Sequence, residues 1–350
     1  MNKKVLIGMS GGVDSSVAAL LLKENGYDVA GVTFKLSENP TALNAKDADD
    51  AKIICNTLGI NHYILDYSDL FKREVIDYFV EEYMNGRTPN PCIICNKQIK
   101  FKAFLEKANE MGYDYIATGH YAQTSYCEKT GRFSLIQGES DKKDQSYVLF
   151  SLTQKQLAQT LFPIGSLTKD EVRKIATDNN LIVSQKPDSQ DICFIPSGNY
   201  AQFLQDYTGK ISPKGNFIDV DGNILGQHLG LWYYTIGQRK GLGMTFGKPM
   251  FVSQINPQNN TVTLADDNQI FADSLNATDI NFIEIDELNE PIKILAKIRY
   301  SHPKTPATLF PLENGVAKVV FDNPQRAITK GQAVVFYLDN HVFGGGIICD

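Results

Sequence analysis

Long apolar runs are missing from this sequence, and each absence narrows what the chain can be. No window approaches the roughly 20 apolar residues of a membrane helix. After Met1-Asn2-Lys3-Lys4 the run Val5 to Met9 soon meets glycines and Asp14, which is not an export signal. No membrane contact and a reducing, cytoplasmic compartment are therefore expected. Cysteine is scarce: six residues (Cys55, Cys92, Cys95, Cys127, Cys193, Cys349) in a chain of 350 cannot make a disulfide scaffold, so paired thiols here suggest chemistry or metal binding. Positive charge is scarce too. A net charge of -6 argues against indiscriminate nucleic-acid binding, which draws on many Lys and Arg contacts to phosphate, so any RNA must meet a local basic face. No internal repeat or low-complexity segment occurs.

What is present organises into two grammars. At 43% hydrophobic and 21% charged, the chain can bury more than one core, and two or three domains are expected. Over the first 118 residues, β-branched runs (Val5 to Met9, Val29 to Phe34, His62 to Leu65, Tyr115 to Thr118) alternate with helical patterns near 16–25, 49–58, 69–85 and 97–110. Gly26, Gly59, Gly86 and Gly112 fall where those helices should stop. The alternation predicts an α/β domain with a mostly parallel sheet and ligands at the carboxyl ends of its strands. A hairpin-like stretch follows at Thr124 to Gly138, then a capping box at Thr168 to Glu171. Beyond residue 200 helical periodicity fades, and Asp221-Gly222, Asn259-Asn260 and Asn314-Gly315 punctuate short β-rich runs. We divide the chain into a catalytic domain (1–200), a small β-rich domain (201–275) and a compact C-terminal β-barrel (276–350). The acidic stretch Asp47, Asp49, Asp50 reads as a solvated helix start rather than a metal site.

The first predicted strand runs into Ser10-Gly11-Gly12-Val13-Asp14-Ser15-Ser16 and then a helix. A tight Gly-Gly turn before a helix N-terminus points free N–H groups and the positive dipole end at one place, as an oligophosphate requires. No Lys occurs between Gly8 and Leu22, so the loop departs from the Walker type and fits release of pyrophosphate better than transfer of the γ-phosphate. Asp14 is a candidate holder of Mg²⁺. A plain serine-capped βα turn would explain two glycines, but not seven ordered residues in this context.

Thr88-Pro-Asn-Pro-Cys92-Ile-Ile-Cys95-Asn-Lys97 is a proline-bounded turn entering a helix. Cys95 at a helix start beside Lys97 and Lys100 is expected to have a lowered pKa. Cys193, in Asp188-Ser-Gln-Asp-Ile-Cys193-Phe194, can meet it if the chain returns to the mouth of the same sheet. Cys55 reads as a buried small hydrophobe, and Cys127 and Cys349 as incidental. Half of a zinc site is the competing reading of Cys92 and Cys95, but a structural zinc wants four ligands and only one CxxC is present.

The phosphate loop resembles that of the ATP pyrophosphatase (PP-loop) superfamily. Together with GRTPNPCIICNKQIKFKAFL (86–105), DYIATGHYAQ, KDQSYVLFSL, LFPIGSLTK, DSQDICFI, TIGQRKGLG, IRYSHP, KGQAVVFY and GGGII, it makes the chain similar, end to end, to the tRNA-specific 2-thiouridylase (MnmA) family. The resemblance implies an ATP-dependent tRNA-uridine 2-sulfurtransferase. Gly8, Met9, Ser10, Gly11, Gly12, Val13, Asp14 and Ser15, with Phe34 and Gly119, would hold ATP. Adenylation of the C2 oxygen of the wobble uridine would precede sulfur delivery by a Cys193 persulfide charged by a sulfur-donor protein. Cys95 would be the partner thiol, and the two would end as a disulfide. Asn90, Pro91 and Cys92 match the segment facing the target base, while His120, Lys143, Asp144, Gln145, Arg299, Tyr300 and Gln332 match tRNA-contacting positions. Many relatives of this kind carry Asp where this chain has Cys92, which puts an acid/base role there in doubt. Softness and CxxC spacing leave a second route open, a [4Fe-4S] cluster on Cys92, Cys95 and Cys193.

From the residues themselves, Lys142, Lys143, Arg239, Lys240, Lys297 and Arg299 are candidate phosphate contacts, and Tyr233, Tyr234 and Tyr300 candidate base-stacking rings. Two other readings compete: an AMP-forming synthetase acting on a small metabolite, and a non-catalytic nucleotide- or RNA-binding protein with a structural CxxC.

Overall fold

Val5 and Ile7 point into one apolar core and Leu6 into another, all three fully buried. A strand covered on both faces must read as an unbroken apolar run, as this one does. The structure is a computed structural model that describes residues 2–37, 45–184, 186 and 191–349, so Asp188, Ser189 and Gln190 of the Cys193 motif lie outside the described residues.

The first unit is built on β1 (Lys4–Gly8), β2 (Asp28–Lys35), β3 (Asn61–Asp66), β4 (Tyr115–Ala117) and, later in the chain, β7 (Thr160–Leu161). These five strands are parallel in the order β3-β2-β1-β4-β7. The order reverses between β1 and β4, so the crevice beyond their carboxyl ends is the expected ligand position of an open α/β sheet. Helices α1 (Val13–Glu24) and α2 (Ala45–Leu58) alternate with the strands. Helix α3 (Ser68–Phe71) continues through wide turns at Lys72–Ile76 into α4 (Asp77–Met84), and α5 (Pro91–Ile94) continues through wide turns at Cys95–Ala103 into α6 (Phe104–Glu110). Gly26, Gly59, Gly86 and Gly112 end these helices at positive φ, the conformation glycine reaches without strain. The hairpin β5 (Ala122–Cys127) and β6 (Arg132–Gln137) precedes α7 (Gln154–Ala158) and α8 (Lys169–Asp178), the latter opened by the Thr168–Glu171 capping box.

One helix departs from the sequence reading. Helix α9 (Tyr200–Thr208) lies where helical periodicity was expected to fade. Its apolar stripe Tyr200, Phe203, Leu204, Tyr207 packs against Phe79 and Tyr83 of the first unit. Asn199 caps its start by accepting from Gln202 N at 3.1 Å, and left-handed Gly209 closes it. The stripe is short and aromatic, so it reads as β-prone when taken alone.

A second unit pairs β8 (Gly215–Ile218), β9 (Ile224–His228), β10 (Phe251–Asn256) and β11 (Thr261–Ala265) in the order β10-β11-β8-β9, around Phe217, Tyr234, Val252 and Leu264. The third is a closed six-stranded barrel. Strands β12 (Phe271–Phe282), β15 (Ala317–Arg326), β14 (Thr305–Pro311), β13 (Ile292–Lys297), β16 (Ala333–Leu338) and β17 (His341–Ile348) pair in that order, and β12 pairs with β17 to close it. The anticipated division at 275/276 falls inside β12, whose pairing begins at Phe271. The β5–β6 hairpin of the first unit adds to β17 through the His341–Ile136 pair. Along β16, Val334 and Phe336 fill the barrel while Ala333, Val335 and Tyr337 join the core beneath β1. Among the described residues no helix is long and apolar enough to cross a membrane.

Candidate functional site

The phosphate loop closes on itself through its serines. Ser10 N donates to Ser15 Oγ (3.2 Å), and Ser16 Oγ donates to Gly12 O (2.7 Å). Gly12 caps α1 through its extended backbone with no side-chain acceptor, which leaves the first-turn N–H groups to an external anion. Gly11 has φ +67°, and a Cβ there would sit 2.2 Å from Asp47 O. Gly119, just past β4, faces the loop so closely that a Cβ would lie 2.7 Å from Ser15 N. Phe34 borders Gly8 and stacks edge-on against Phe104, giving the crevice an apolar wall. Val13 and Met9 are buried beneath the loop as packing.

Two lysines that sequence reasoning missed flank this loop. Lys169 Nζ donates to both carboxylate oxygens of Asp14 (2.8 and 2.9 Å), which also accepts from Tyr121 Oη at 2.6 Å. Lys186 Nζ donates to Gly11 O (2.8 Å), Asp47 Oδ1 (2.7 Å) and Asp50 Oδ2 (2.7 Å). The acidic stretch read as a solvated helix start is thus in part an ion-paired brace for the loop. Lys169 follows the capping-box threonine, so the sequence located its helix; nothing local revealed its partner 155 residues away.

The thiols converge. Asn90 caps α5 by accepting from Cys92 N at 3.1 Å, Pro91 takes the first helical position, and Cys95 begins the wide-turn stretch one turn on. Cys95 is buried with Phe71, Val75 and Ile99, and Phe194 packs on that same cluster. Phe194 also stacks on Phe79 and Phe203, which fixes Cys193 beside the CxxC turn. The three thiols are near enough that ionising one disfavours the next, as Cys193 and Cys92 do for Cys95. The expected lowering of the Cys95 pKa is overturned: burial pushes it up to about 12, outweighing the nearby Lys100 ammonium, and Lys97 points into solvent. Burial likewise raises Cys193 to about 11, and raises Cys92. Cys92 and Cys193 are nonetheless exposed residues, unlike the buried Cys95. Among the described residues no three His, Cys, Asp or Glu side chains are grouped closely enough to hold a metal ion. Cys55 is buried in the core under β2, as anticipated.

All three units meet next to these thiols. A cavity of about 350 Å³ is lined by Thr88, Pro89 and Asn90 of the CxxC turn, Ile192 and Tyr200, Thr235 and Ile236, and Arg299, Thr329 and Gln332 of the barrel. Gln332 Nε2 donates to Thr88 O (2.7 Å) and Thr88 N donates to Lys330 O (2.9 Å), so the barrel holds the turn directly. Arg299 donates to Arg326 O and Ala327 O, and Tyr300 is 40% exposed beside Lys297. Other candidate RNA contacts lie elsewhere. His120 is buried, bonded to Thr118 Oγ1 through Nδ1 (2.8 Å), and burial holds its pKa well below the usual imidazole value. Asp144 is buried and accepts from Ser146 N and Oγ, Gly138 N and Gln137 Nε2, while Gln145 accepts from Tyr121 N. Tyr234 is buried in the second unit, so it offers no stacking face; Tyr233, Arg239 and Lys240 are exposed.

Three family models match the chain in succession: the tRNA methyl transferase HUP domain over residues 3–197, the tRNA methyl transferase PRC-barrel domain over 201–266 and the Aminomethyltransferase beta-barrel domain over 272–348. The chain is 54% identical over 355 residues to the tRNA-specific 2-thiouridylase MnmA of Clostridioides difficile (strain 630), with 99% of this chain and 98% of that one covered. It is 50% identical to the protein of the same name from Acetivibrio thermocellus, with 99% of both chains covered. A solved 4-thiouridine synthetase–RNA complex with bound ATP is 18% identical at a TM-score of 0.40, over 58% of this chain and 50% of that chain.

Proposed function

This chain belongs to the tRNA-specific 2-thiouridylase family, an enzyme family of tRNA sulfur transfer, and from that premise we propose how its residues divide the work on the wobble uridine, U34. ATP sits in the crevice between β1 and β4, its phosphates on the N-terminus of α1 and its base side toward Phe34 and Gly119. The C2 oxygen of U34 attacks the α-phosphorus; the bond from the α-phosphorus to the bridging oxygen breaks, and pyrophosphate leaves with that electron pair. Asp14 fits as the residue that would hold Mg²⁺, which supplies charge neutralisation for the departing group.

A Cys193 persulfide, charged by a sulfur-donor protein, attacks C2 and AMP leaves. A thiolate from the CxxC turn, Cys95 in this reading, then attacks Cys193 Sγ, which frees the thiocarbonyl and leaves a disulfide for an external dithiol to reduce. No step runs through an iron–sulfur cluster. The base enters at Asn90, Pro91 and Cys92, and Arg299, Tyr300 and Gln332 on the barrel side of the same cavity receive the RNA strand around it, as extrusion of a stacked base requires. His120, Asp144 and Gln145 act from inside, by shaping the wall that Lys143 presents to the RNA.

The observation that carries this reading is the return of Cys193 to the CxxC turn, by a segment whose Lys186 also touches the phosphate loop at Gly11 O. A synthetase acting on a small metabolite shares the loop but has no use for those thiols, and similarity over the whole chain disfavours it. The test is Cys193→Ser supplied with ATP, Mg²⁺, a sulfur donor and unmodified tRNA, followed by mass analysis of the wobble nucleoside. Loss of 2-thiouridine with ATP binding retained is expected; thiolation that persists sinks the proposal.

A further inference from the structure

The helical run that starts at the CxxC turn reaches from the thiols to the nucleotide crevice. Cys95 opens its wide-turn stretch, and Phe104, just past that stretch, sets its ring 4.9 Å from Phe34, which borders Gly8. Phe101 meets the His120 ring at 5.7 Å, and His120 follows Gly119, which abuts Ser15 N of the phosphate loop. Lys100 lies between these two ends. Wide turns close from residue i to i+5, so Lys100 stands one turn along from Cys95 on nearly the same face, whereas an ordinary α-helix would turn it well away. Its charge acts on Cys92, Cys95 and Cys193 on one side and on His120 on the other. Exposed Lys97 and Lys102 flank it, but Lys100 itself is partly buried. Among the described residues its ammonium has neither a hydrogen bond nor an ion-pair partner, and the thiols that it reaches are protonated in the resting fold. A partly desolvated cation without a counter-ion costs stability, and that cost is relieved when an anion binds.

We infer that Lys100 is a catalytic residue of the second half of the reaction, binding the phosphate of the adenylated uridine and receiving the charge of AMP as it departs. This deepens the proposed adenylation and rests on it. The adenylated base must lie between the sulfur that attacks C2 and the loop that held the phosphates, which is the interval Lys100 occupies. There the bond from the terminal sulfur of the persulfide to C2 forms, the C2–O2 bond breaks, and its electron pair leaves with O2 on AMP. Negative charge grows on the phosphate as it goes, and an ammonium without a partner meets that charge without first breaking an ion pair.

The test compares Lys100→Met and Lys100→Arg with the unsubstituted protein, as full chains supplied with ATP, Mg²⁺, inorganic polysulfide and unmodified tRNA. Pyrophosphate release and 2-thiouridine formation are followed in single turnovers, with thermal melts and iodoacetamide alkylation of Cys193 in parallel. Lys100→Met keeps the apolar stem and removes the charge, so it is expected to melt no lower than the unsubstituted protein and to bind ATP and release pyrophosphate as well. Its 2-thiouridine formation is expected to slow by about a hundredfold, the loss typical of removing one donor to a developing oxyanion, and Lys100→Arg to recover much of that rate. Unchanged thiolation by Lys100→Met overturns the inference. Pyrophosphate release slowed as much as thiolation overturns it too, because Lys100 would then act in the first half of the reaction. So does Cys193 alkylation slowed by the same factor, which would mean that Lys100 serves the thiol alone. A lowered melting temperature in Lys100→Met would reveal a structural partner and overturn the claim of an unpaired cation. Unsubstituted protein that forms 2-thiouridine without releasing pyrophosphate overturns the adenylation reading itself.

Discussion

Cys95 and Cys193 illustrate how a residue's surroundings outrank its local sequence. A helix start with Lys97 and Lys100 nearby argues for an acidic thiol, yet a core of Phe71, Val75 and Ile99 around Cys95 decides the matter the other way. Both thiols are therefore protonated in the resting fold at neutral pH. With iodoacetamide, Cys193 is expected to react first and its rate to keep climbing toward pH 11, whereas Cys95 lags; peptide mass analysis at a series of pH values reads both. A Cys193 rate that levels off near pH 8.5, the range of an ordinary thiol, would show that the burial argument is wrong. The linked effect on stability follows from the raised folded values. The unfolded chain loses these protons first, so the contribution is complete below about pH 8.5 and is lost as pH rises through 11 to 12. Residue types and spacings made the CxxC, Cys193 and the phosphate loop legible in the sequence. Lys169 and Lys186 were not, because a lysine is informative only once its carboxylate partner is known, and Asp14 and Asp47 lie more than a hundred positions away.

Elements were legible wherever a period repeats long enough to be counted. The parallel strands, the hairpin at β5–β6 and the turns at Asp221-Gly222, Asn259-Asn260 and Asn314-Gly315 follow from alternation and from residues that accept positive φ, as Gly222, Asn260, Asn314 and Gly315 do. Helix α9 escaped because its two turns of aromatic residues gain their stability from Phe79, Tyr83 and Phe194 rather than from intrinsic propensity. That dependence runs both ways, since Phe203 of α9 holds the Phe194 ring next to Cys193. Asn199→Ala removes the cap of α9 and is expected to cost about 1 kcal/mol in urea unfolding. A second effect is expected with it: Cys193 alkylated faster than in the parent at neutral pH, with ATP affinity unchanged. If stability falls but the alkylation rate does not move, α9 is a strut for the first unit and has no hold on the Cys193 segment.

At the scale of the whole molecule, the barrel belongs to the catalytic unit physically although the sequence appends it. Outer faces of β16 and β17, through Ala333, Val335, Tyr337 and Val342, share one buried core with Leu6, Phe101, Phe104 and Phe150. The hairpin β5–β6 extends the barrel sheet, and Asn281 Nδ2 of β12 donates to Phe150 O (2.7 Å) and Leu152 O (3.1 Å). Cores that interpenetrate in this way unfold together, whereas the second unit surrounds a main cluster of its own at Phe217, Val252 and Leu264 and joins the barrel only through a smaller one, Phe251 and Ala265 with Ile270 and Ala327. Calorimetry of the full chain should therefore show the first unit and the barrel melting in one transition, with the second unit free to melt apart from it. A chain ending near residue 270 strips the cover from Leu6 and Phe104 and should be insoluble or molten rather than a working nucleotide-binding fragment. Recovery of that fragment as a folded, ATP-binding protein would mean that the shared core is an interface between independent bodies. The barrel could then move relative to the CxxC turn it holds through Gln332 and Thr88, and the cavity between them would open and close with the RNA rather than stand preformed.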